Sequence, residues 1–221
     1  MASSSPAPFQ FPREYYFPAF FTRQTNLNTL HAQLVKWSSL VLSYCQHHRI
    51  FKLSLSPTSS TATATTSSST STSVPPSSSS NLNLNPASAT ATVDTEELFH
   101  NRKLNRRLAL ADVREVIGFM RREGRAEYVG REEEGRGEGD VVWVYWRTPE
   151  EWAGVIEGWV DETAQKGTVL TLYELTEGEG TRGTEFHGLD QELLQKALNV
   201  LVRRGKAQIF GQEDSQGVKF F

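Results

Sequence analysis

The 221-residue sequence predicts an α+β fold of two tandem winged-helix domains, and three observations carry that prediction. The chain repeats itself: a slide of 81 positions lays residues 202–210 (VRRGKAQIF) on residues 121–129 (RREGRAEYV), with Gly205 on Gly124. Ahead of each glycine runs one helical stripe, Val113, Val116, Ile117 and Met120 in the first copy and Leu194, Ala197, Leu198 and Leu201 in the second, at i, i+3, i+4, i+7. After each glycine the period changes to a short β-favouring run, a polar glycine-rich loop and a second run (141–146 or 218–221). Helix, strand, wing-like hairpin and strand follow in that order, and each glycine stands where a helix ends in a left-handed residue.

In chain order, the first element is an aromatic stretch at residues 9–21 (FQFPREYYFPAFF), where Phe9, Phe11, Tyr15, Tyr16, Phe17, Phe20 and Phe21 obey neither a helical nor a strand period. Pro12 and Pro18 predict that this arm, residues 1–24, is extended. Such an arm either packs on its own domain or anchors in a partner's groove. Leu27, Leu30, Leu34, Trp37, Val41 and Tyr44 recur at alternating steps of three and four behind Thr25 and Asn26, which predicts a capped amphipathic helix. Phe51, Leu53 and Leu55 alternate as a strand does.

Residues 57–92 hold 21 Ser or Thr, four Pro and no charged or aromatic side chain. A run of that composition buries too little apolar surface to offset its ordering entropy, so residues 56–94 are expected to be a disordered insertion in a loop of the first domain, residues 25–147. Residues 96–102 are expected to form a short helix before the first stripe helix.

The second domain, residues 148–221, opens on Thr148-Pro149-Glu150-Glu151, the capping-box spacing with proline at the first helical position. Trp152, Val155, Ile156, Trp159 and Val160 make the buried stripe, and Gly167 is expected to stop the helix. A short strand at 169–171, a short helix at 172–175 and a stripe helix at 189–204 capped by Asp190 complete the order of elements seen in the first domain.

Cys45 is the single cysteine, so an intramolecular disulfide is impossible and a reducing compartment is expected. The first 20 residues lack a basic start followed by an apolar run, and the longest apolar run is 141–146, so neither a signal peptide nor a membrane span is expected. Residues 1–148 carry a formal charge of +3 and residues 149–221 carry −6.

That asymmetry weighs against nucleic acid, the usual partner of winged helices. The positions off the second stripe are Gln191, Glu192, Gln195, Lys196, Asn199 and Arg203, in a domain that repels phosphate. The first domain, with Arg102, Lys103, Arg106, Arg107, Arg114, Arg121, Arg122 and Arg125, is the fairer DNA-binding alternative, but Glu132, Glu133, Glu134, Glu138 and Asp140 make its wing acidic. No catalytic constellation emerges. Residues 178–183 match G-x-G-x-x-G, yet Glu177 and Glu179 would oppose a pyrophosphate, and Cys45, His47 and His48 on one helix do not complete a tetrahedral metal site. No cofactor is expected.

FPAFFT (17–22), LVLSYCQHH (40–48), LFHNRKLNRRL (98–108), WRTPEEW (146–152), LTLYELTEGE (170–179), EFHGLD (185–190) and GVKFF (217–221) together resemble the smallest subunit of ESCRT-II, the vacuolar protein-sorting-associated protein 25 family. The resemblance implies a non-enzymatic adaptor of two winged helices. Two copies would join two larger winged-helix subunits in a complex recruited from the cytoplasm to endosomes, where it links sorting of ubiquitinated cargo to ESCRT-III in multivesicular body formation, without membrane insertion or nucleic acid. It further implies that an N-terminal Pro-Pro-x-aromatic element enters a larger subunit. The matching positions are Pro18, Phe20 and Phe21, with Ala19 in place of the second proline. The family's second winged helix recruits an ESCRT-III subunit through a basic N-terminal helix, which an acidic domain suits. Thr171, Tyr173, Glu174, Glu185, Lys196 and Asn199 are the candidate contacts.

Overall fold

The computed structural model describes residues 8–55, 96–130, 141–211 and 216–221. The expected insertion at 56–94 and the acidic wing tip of the first domain lie outside the described residues.

The first winged helix runs α1 (Leu27–His48), β1 (Lys52–Ser54), α2 (Glu96–Phe99), β2 (His100–Asn101), β3 (Arg106–Arg107), α3 (Leu110–Arg122), β4 (Ala126–Tyr128) and β5 (Val141–Val144). Strands β1, β5 and β4 form one antiparallel sheet in that order, with Leu53 and Tyr128 flanking Val142. The second repeats the plan with α4 (Pro149–Glu162), β6 (Val169–Thr171), α5 (Leu172–Glu177), α6 (Gln191–Arg203), β7 (Ala207–Phe210) and β8 (Gly217–Phe220), its sheet ordered β6-β8-β7. Local chemistry accounts for the helix starts. The Asn26 side chain accepts from the N–H groups of Asn28 and Thr29, Thr148 and Glu151 complete a capping box, and Asp190 caps α6. Gly124 and Gly205 take φ of 69° and 70° just past α3 and α6, where a Cβ would be strained.

Three expectations need correction. The aromatic arm is not extended: residues 13–16 and 18–21 form two successive 3-10 turns, because Pro12 supplies the extended cap of the first and Pro18 occupies the first position of the second. The helix expected over 96–102 ends at Phe99 and gives way to the β2–β3 hairpin. There the buried Asn101 amide donates to the Tyr15 carbonyl at 2.8 Å, its oxygen accepts from the Leu104 N–H at 3.1 Å, and Asn105 sits at φ 49°. Helix α4 stops at Glu162, five residues before Gly167, with Ala164 in the left-handed region; Gly167 instead starts the return to the sheet by donating to the Phe220 carbonyl at 2.9 Å.

Two apolar cores result, and β5 belongs to both. Val142 and Val144 point into the core made by α1, α3 and the arm, whereas Trp143 and Tyr145 point into the core made by α4 and α6. Alternate residues of a strand face opposite sides of its sheet, so one short strand is the wall between the domains.

Candidate protein-interaction surfaces

The arm is held by aromatic packing and by main-chain hydrogen bonds. Phe20 stacks on Trp37 of α1 with ring centroids 4.3 Å apart and planes 8° from parallel, and the Trp37 Nε1–H donates to the Phe20 carbonyl at 3.0 Å. Phe21 meets Trp37 edge-on at 5.5 Å, and Tyr15 donates its hydroxyl to the Glu97 carbonyl. Burial and the nearby Glu97 charge raise the Tyr15 pKa well above the phenol range, so it stays a donor. Gln33 ties down the turn by donating to the carbonyls of Phe20 and Thr22 at 2.8 and 2.9 Å.

This geometry divides the expected partner anchors. Phe20 and Phe21 are 7% and 5% exposed and belong to the chain's own core, while Pro18 and Ala19 are exposed. The rings turned to solvent are Tyr16 at 45% and Phe17 at 65%, which the sequence reading did not single out. Their signal was the proline spacing, since a 3-10 turn after Pro12 and another after Pro18 set which rings turn inward. Beside Phe17 a shallow groove of about 240 Å³ runs between the arm and α1, lined by Phe17, Ala19, Gln24, Ala32, Gln33 and Lys36.

The seam between the domains is ionic around an aromatic centre. Lys196 of α6 donates to Glu127 of β4 at 2.7 Å and to the Tyr145 hydroxyl at 2.9 Å, and Tyr145 itself donates to Glu127 at 2.5 Å. The ammonium also lies 5.3 Å from the Trp143 ring centroid. Burial pushes the Glu127 carboxyl up, but the hydrogen bonds from Lys196 and Tyr145 outweigh it and leave the pKa below the ordinary range. From the other side Lys52 of β1 reaches Asp190 and Glu192 at 3.4 and 3.1 Å and covers Trp143 at 4.4 Å. Arg49, left-handed past the end of α1, donates to the carbonyls of Glu185 and His187, and Arg125 pairs with Glu151.

This seam occupies several positions that the sequence left open on the second domain. Of the positions on α6 that would read a nucleic-acid groove, Glu192 and Lys196 are engaged by the first domain and Gln195 by Gln216. Lys196, expected to contact ESCRT-III, is therefore a seam residue, half-buried and facing the first domain. The other expected contacts are distributed. Thr171 and Glu174 close a capping box on α5, which holds the Glu174 carboxyl below its usual pKa, first through the Thr171 N–H and then through its hydroxyl. Tyr173 stands 71% exposed beside them, Glu185 pairs with Arg147 on the loop after α5, and Asn199 lies exposed on α6. Residues 178–183, the G-x-G-x-x-G match, contain the 3-10 turn Glu179–Thr181 and do not open a helix. Cys45 is fully buried, and burial pushes its thiol up to about 12. Among the described residues no group of three or more His, Cys, Asp and Glu is placed to hold a metal, and no helix is long and apolar enough to cross a membrane.

Comparison with known proteins decides the family. Residues 14–190, from the arm to the cap of α6, match the family model of the ESCRT-II complex subunit. The chain belongs to the ESCRT-II complex subunit family. It is 33% identical over 213 residues to vacuolar protein-sorting-associated protein 25 of Xenopus laevis, covering 96% of this chain and 99% of that one. The human protein of the same name is 35% identical over 213 residues, with 96% and 98% covered, and the Dictyostelium discoideum protein 34% over 220 residues, with 96% of each. The ESCRT-II fold is shared as well. The crystal structure of subunit VPS25 of the endosomal trafficking complex ESCRT-II superposes with a TM-score of 0.70 at 23% identity over 95% of this chain and 98% of that one. A chain of the ESCRT-II complex of VPS22, VPS25 and VPS36 gives 0.69 at 22% identity, with the same coverage.

Proposed function

We propose that this chain is the small, non-enzymatic subunit of an ESCRT-II assembly, two copies of which join two larger winged-helix subunits of the VPS22 and VPS36 type. It would act from the cytoplasm at the endosomal membrane and link sorting of ubiquitinated cargo into multivesicular bodies to ESCRT-III. The observation that carries this reading is kinship along 96% of the chain with proteins that bear the name of that subunit. The arm is the contact to the larger subunits: Tyr16, Phe17 and Pro18 present apolar surface beside the arm groove, and Phe20 and Phe21 hold the arm that carries them. The second domain, with a formal charge of −6, supplies the ESCRT-III contact through Thr171, Tyr173, Glu174, Glu185 and Asn199, for which a basic helix is the complementary partner. Mixing the chain with the two larger subunits and measuring the mass of the assembly tests the reading. A species of two small subunits to one of each larger subunit is the expected result, and absence of any joint species overturns it.

A further inference from the structure

The β2–β3 hairpin carries Arg102, Lys103, Arg106 and Arg107 at residues 102–107, with no carboxylate among them. Glu96 engages two of these cations, accepting from Arg102 at 3.1 Å and from Arg107. Of the carboxylates on the neighbouring arm and α2, Glu14 is paired with Lys36 and Glu97 accepts from the Tyr44 hydroxyl. Lys103 and Arg106 are exposed and have no carboxylate partner among the described residues.

These two cations stand beside the arm. The Lys103 ammonium lies 5.8 Å from the centroid of the Tyr16 ring. Arg106 and Asn101 are cross-strand partners, which project from the same face of a hairpin, and Asn101 is fastened to the arm by its 2.8 Å bond to the Tyr15 carbonyl. Strand β3 packs beside the second turn of the arm, Pro18–Phe21. Between the cations the left-handed Asn105 donates its N–H to the Arg102 carbonyl and turns the chain tightly. Arm and hairpin are therefore one joined surface, on which the solvent-facing rings of Tyr16 and Phe17 are bordered by positive charge.

From this juxtaposition we infer that the hairpin is the electrostatic half of the arm contact and receives a carboxylate-bearing segment of the partner polypeptide that takes Tyr16 and Phe17. Aspartate or glutamate side chains of that segment sit against Lys103 and Arg106, and its apolar side chains cover the two rings. Complementary charge at the border of an apolar contact sets register and speeds encounter. Two cations without a carboxylate are too few for a nucleic-acid backbone, whose affinity comes from releasing counterions at many phosphates. The inference rests on the proposed arm contact and gives that contact its charge specificity.

Charge reversal tests it. In the full-length chain, Lys103→Glu with Arg106→Glu alters only exposed side chains, so the melting temperature is expected to stay within about 2 °C. Affinity for the two larger subunits, titrated by calorimetry at low salt, should fall at least about tenfold. Binding by the wild type should weaken steeply between about 50 mM and about 500 mM NaCl, and binding by the variant should not. Unchanged affinity, or an unchanged salt dependence, overturns the inference. Phe17→Ala separates it from the arm contact itself: if that variant loses the larger subunits while the charge-reversed chain keeps them, the hairpin falls and the arm contact stands. A fluorescein-labelled peptide of Glu, Leu and Phe, read by anisotropy, is the second probe. If the larger subunits fail to bind the wild-type chain while the peptide binds it and not the charge-reversed variant, the arm contact falls and the hairpin stands. Binding of phosphatidylserine vesicles or duplex DNA through Lys103 and Arg106, with no binding of the peptide or the larger subunits, overturns the acidic polypeptide as occupant.

Discussion

Lys196 and Glu127 lie 69 positions apart in the chain and meet at 2.7 Å, joining the helix that a winged-helix DNA reader would place in the major groove to the edge strand of the preceding domain. The Tyr145 hydroxyl bonds to both partners, so ammonium, phenol and carboxylate satisfy one another. Such a pair on a half-exposed surface is worth about 0–1 kcal/mol, but its position makes it a gauge of the seam.

The depressed Glu127 pKa gives the seam a pH dependence of definite sign. A carboxyl whose folded pKa lies below its unfolded value adds stability above the unfolded value and loses it as pH falls through the folded one. Thermal melts from pH 6 down to pH 3 should show Glu127→Gln losing less stability than wild type on acidification, with the two curves closest at the acid end. Glu96, Glu115 and Glu151 are lowered in the same direction by their arginine partners, so the variant removes only part of the slope. Parallel curves would show that Glu127 does not titrate across the seam.

Substitution in the arm should separate folding from assembly. Phe20→Ala removes a ring stacked on Trp37 in a closed core and is expected to lower stability by about 3–5 kcal/mol. Phe17→Ala, at a ring 65% exposed, should leave the melting temperature within about 2 °C because surface changes stay near ±0.5 kcal/mol, while weakening binding to the larger subunits. Calorimetry of each variant, followed by titration into the larger subunits, gives both numbers.

The Cys45 thiol should be silent in the native protein. Buried with its pKa pushed up to about 12, it offers almost no thiolate at neutral pH. Native protein is expected to react with iodoacetamide orders of magnitude more slowly than protein in guanidinium, and mass spectrometry of timed samples checks this.

At the start of α4, Thr148→Ala removes the hydroxyl that accepts from the Glu151 N–H, leaving only the arm from the Thr148 N–H to the Glu151 carboxylate, and should lower stability by about 1 kcal/mol. Thr148→Ser keeps the hydroxyl and should restore most of it. Urea melts with unchanged slope would confirm that only the native helix start has changed.

Helices α1, α3, α4 and α6 were legible in the sequence because each carries a stripe of matching period and, in α1, α4 and α6, its own N-terminal cap. Thr148, Asn26 and Asp190 all act as their positions suggested. The β2–β3 hairpin was not legible, because the side-chain turn at Asn101 depends on the Tyr15 carbonyl far away in sequence. The seam left a trace in the sequence. Residues 141–146 are apolar without alternation, the pattern of a strand covered on both faces, and Trp143 and Tyr145 do face the second domain. The spacing of Pro12 and Pro18 signalled the two 3-10 turns of the arm, but that they set Phe20 against Trp37 is a match available only in three dimensions.

During synthesis, β5 leaves the ribosome before the element that will cover its outer face. Trp143 and Tyr145 wait uncovered until Gln191–Arg203 have been made, an interval of a few seconds at about 5–20 residues per second. A truncation that keeps only the first domain would make that sticky state permanent, so nascent chains stalled near residue 148 are natural clients for a chaperone.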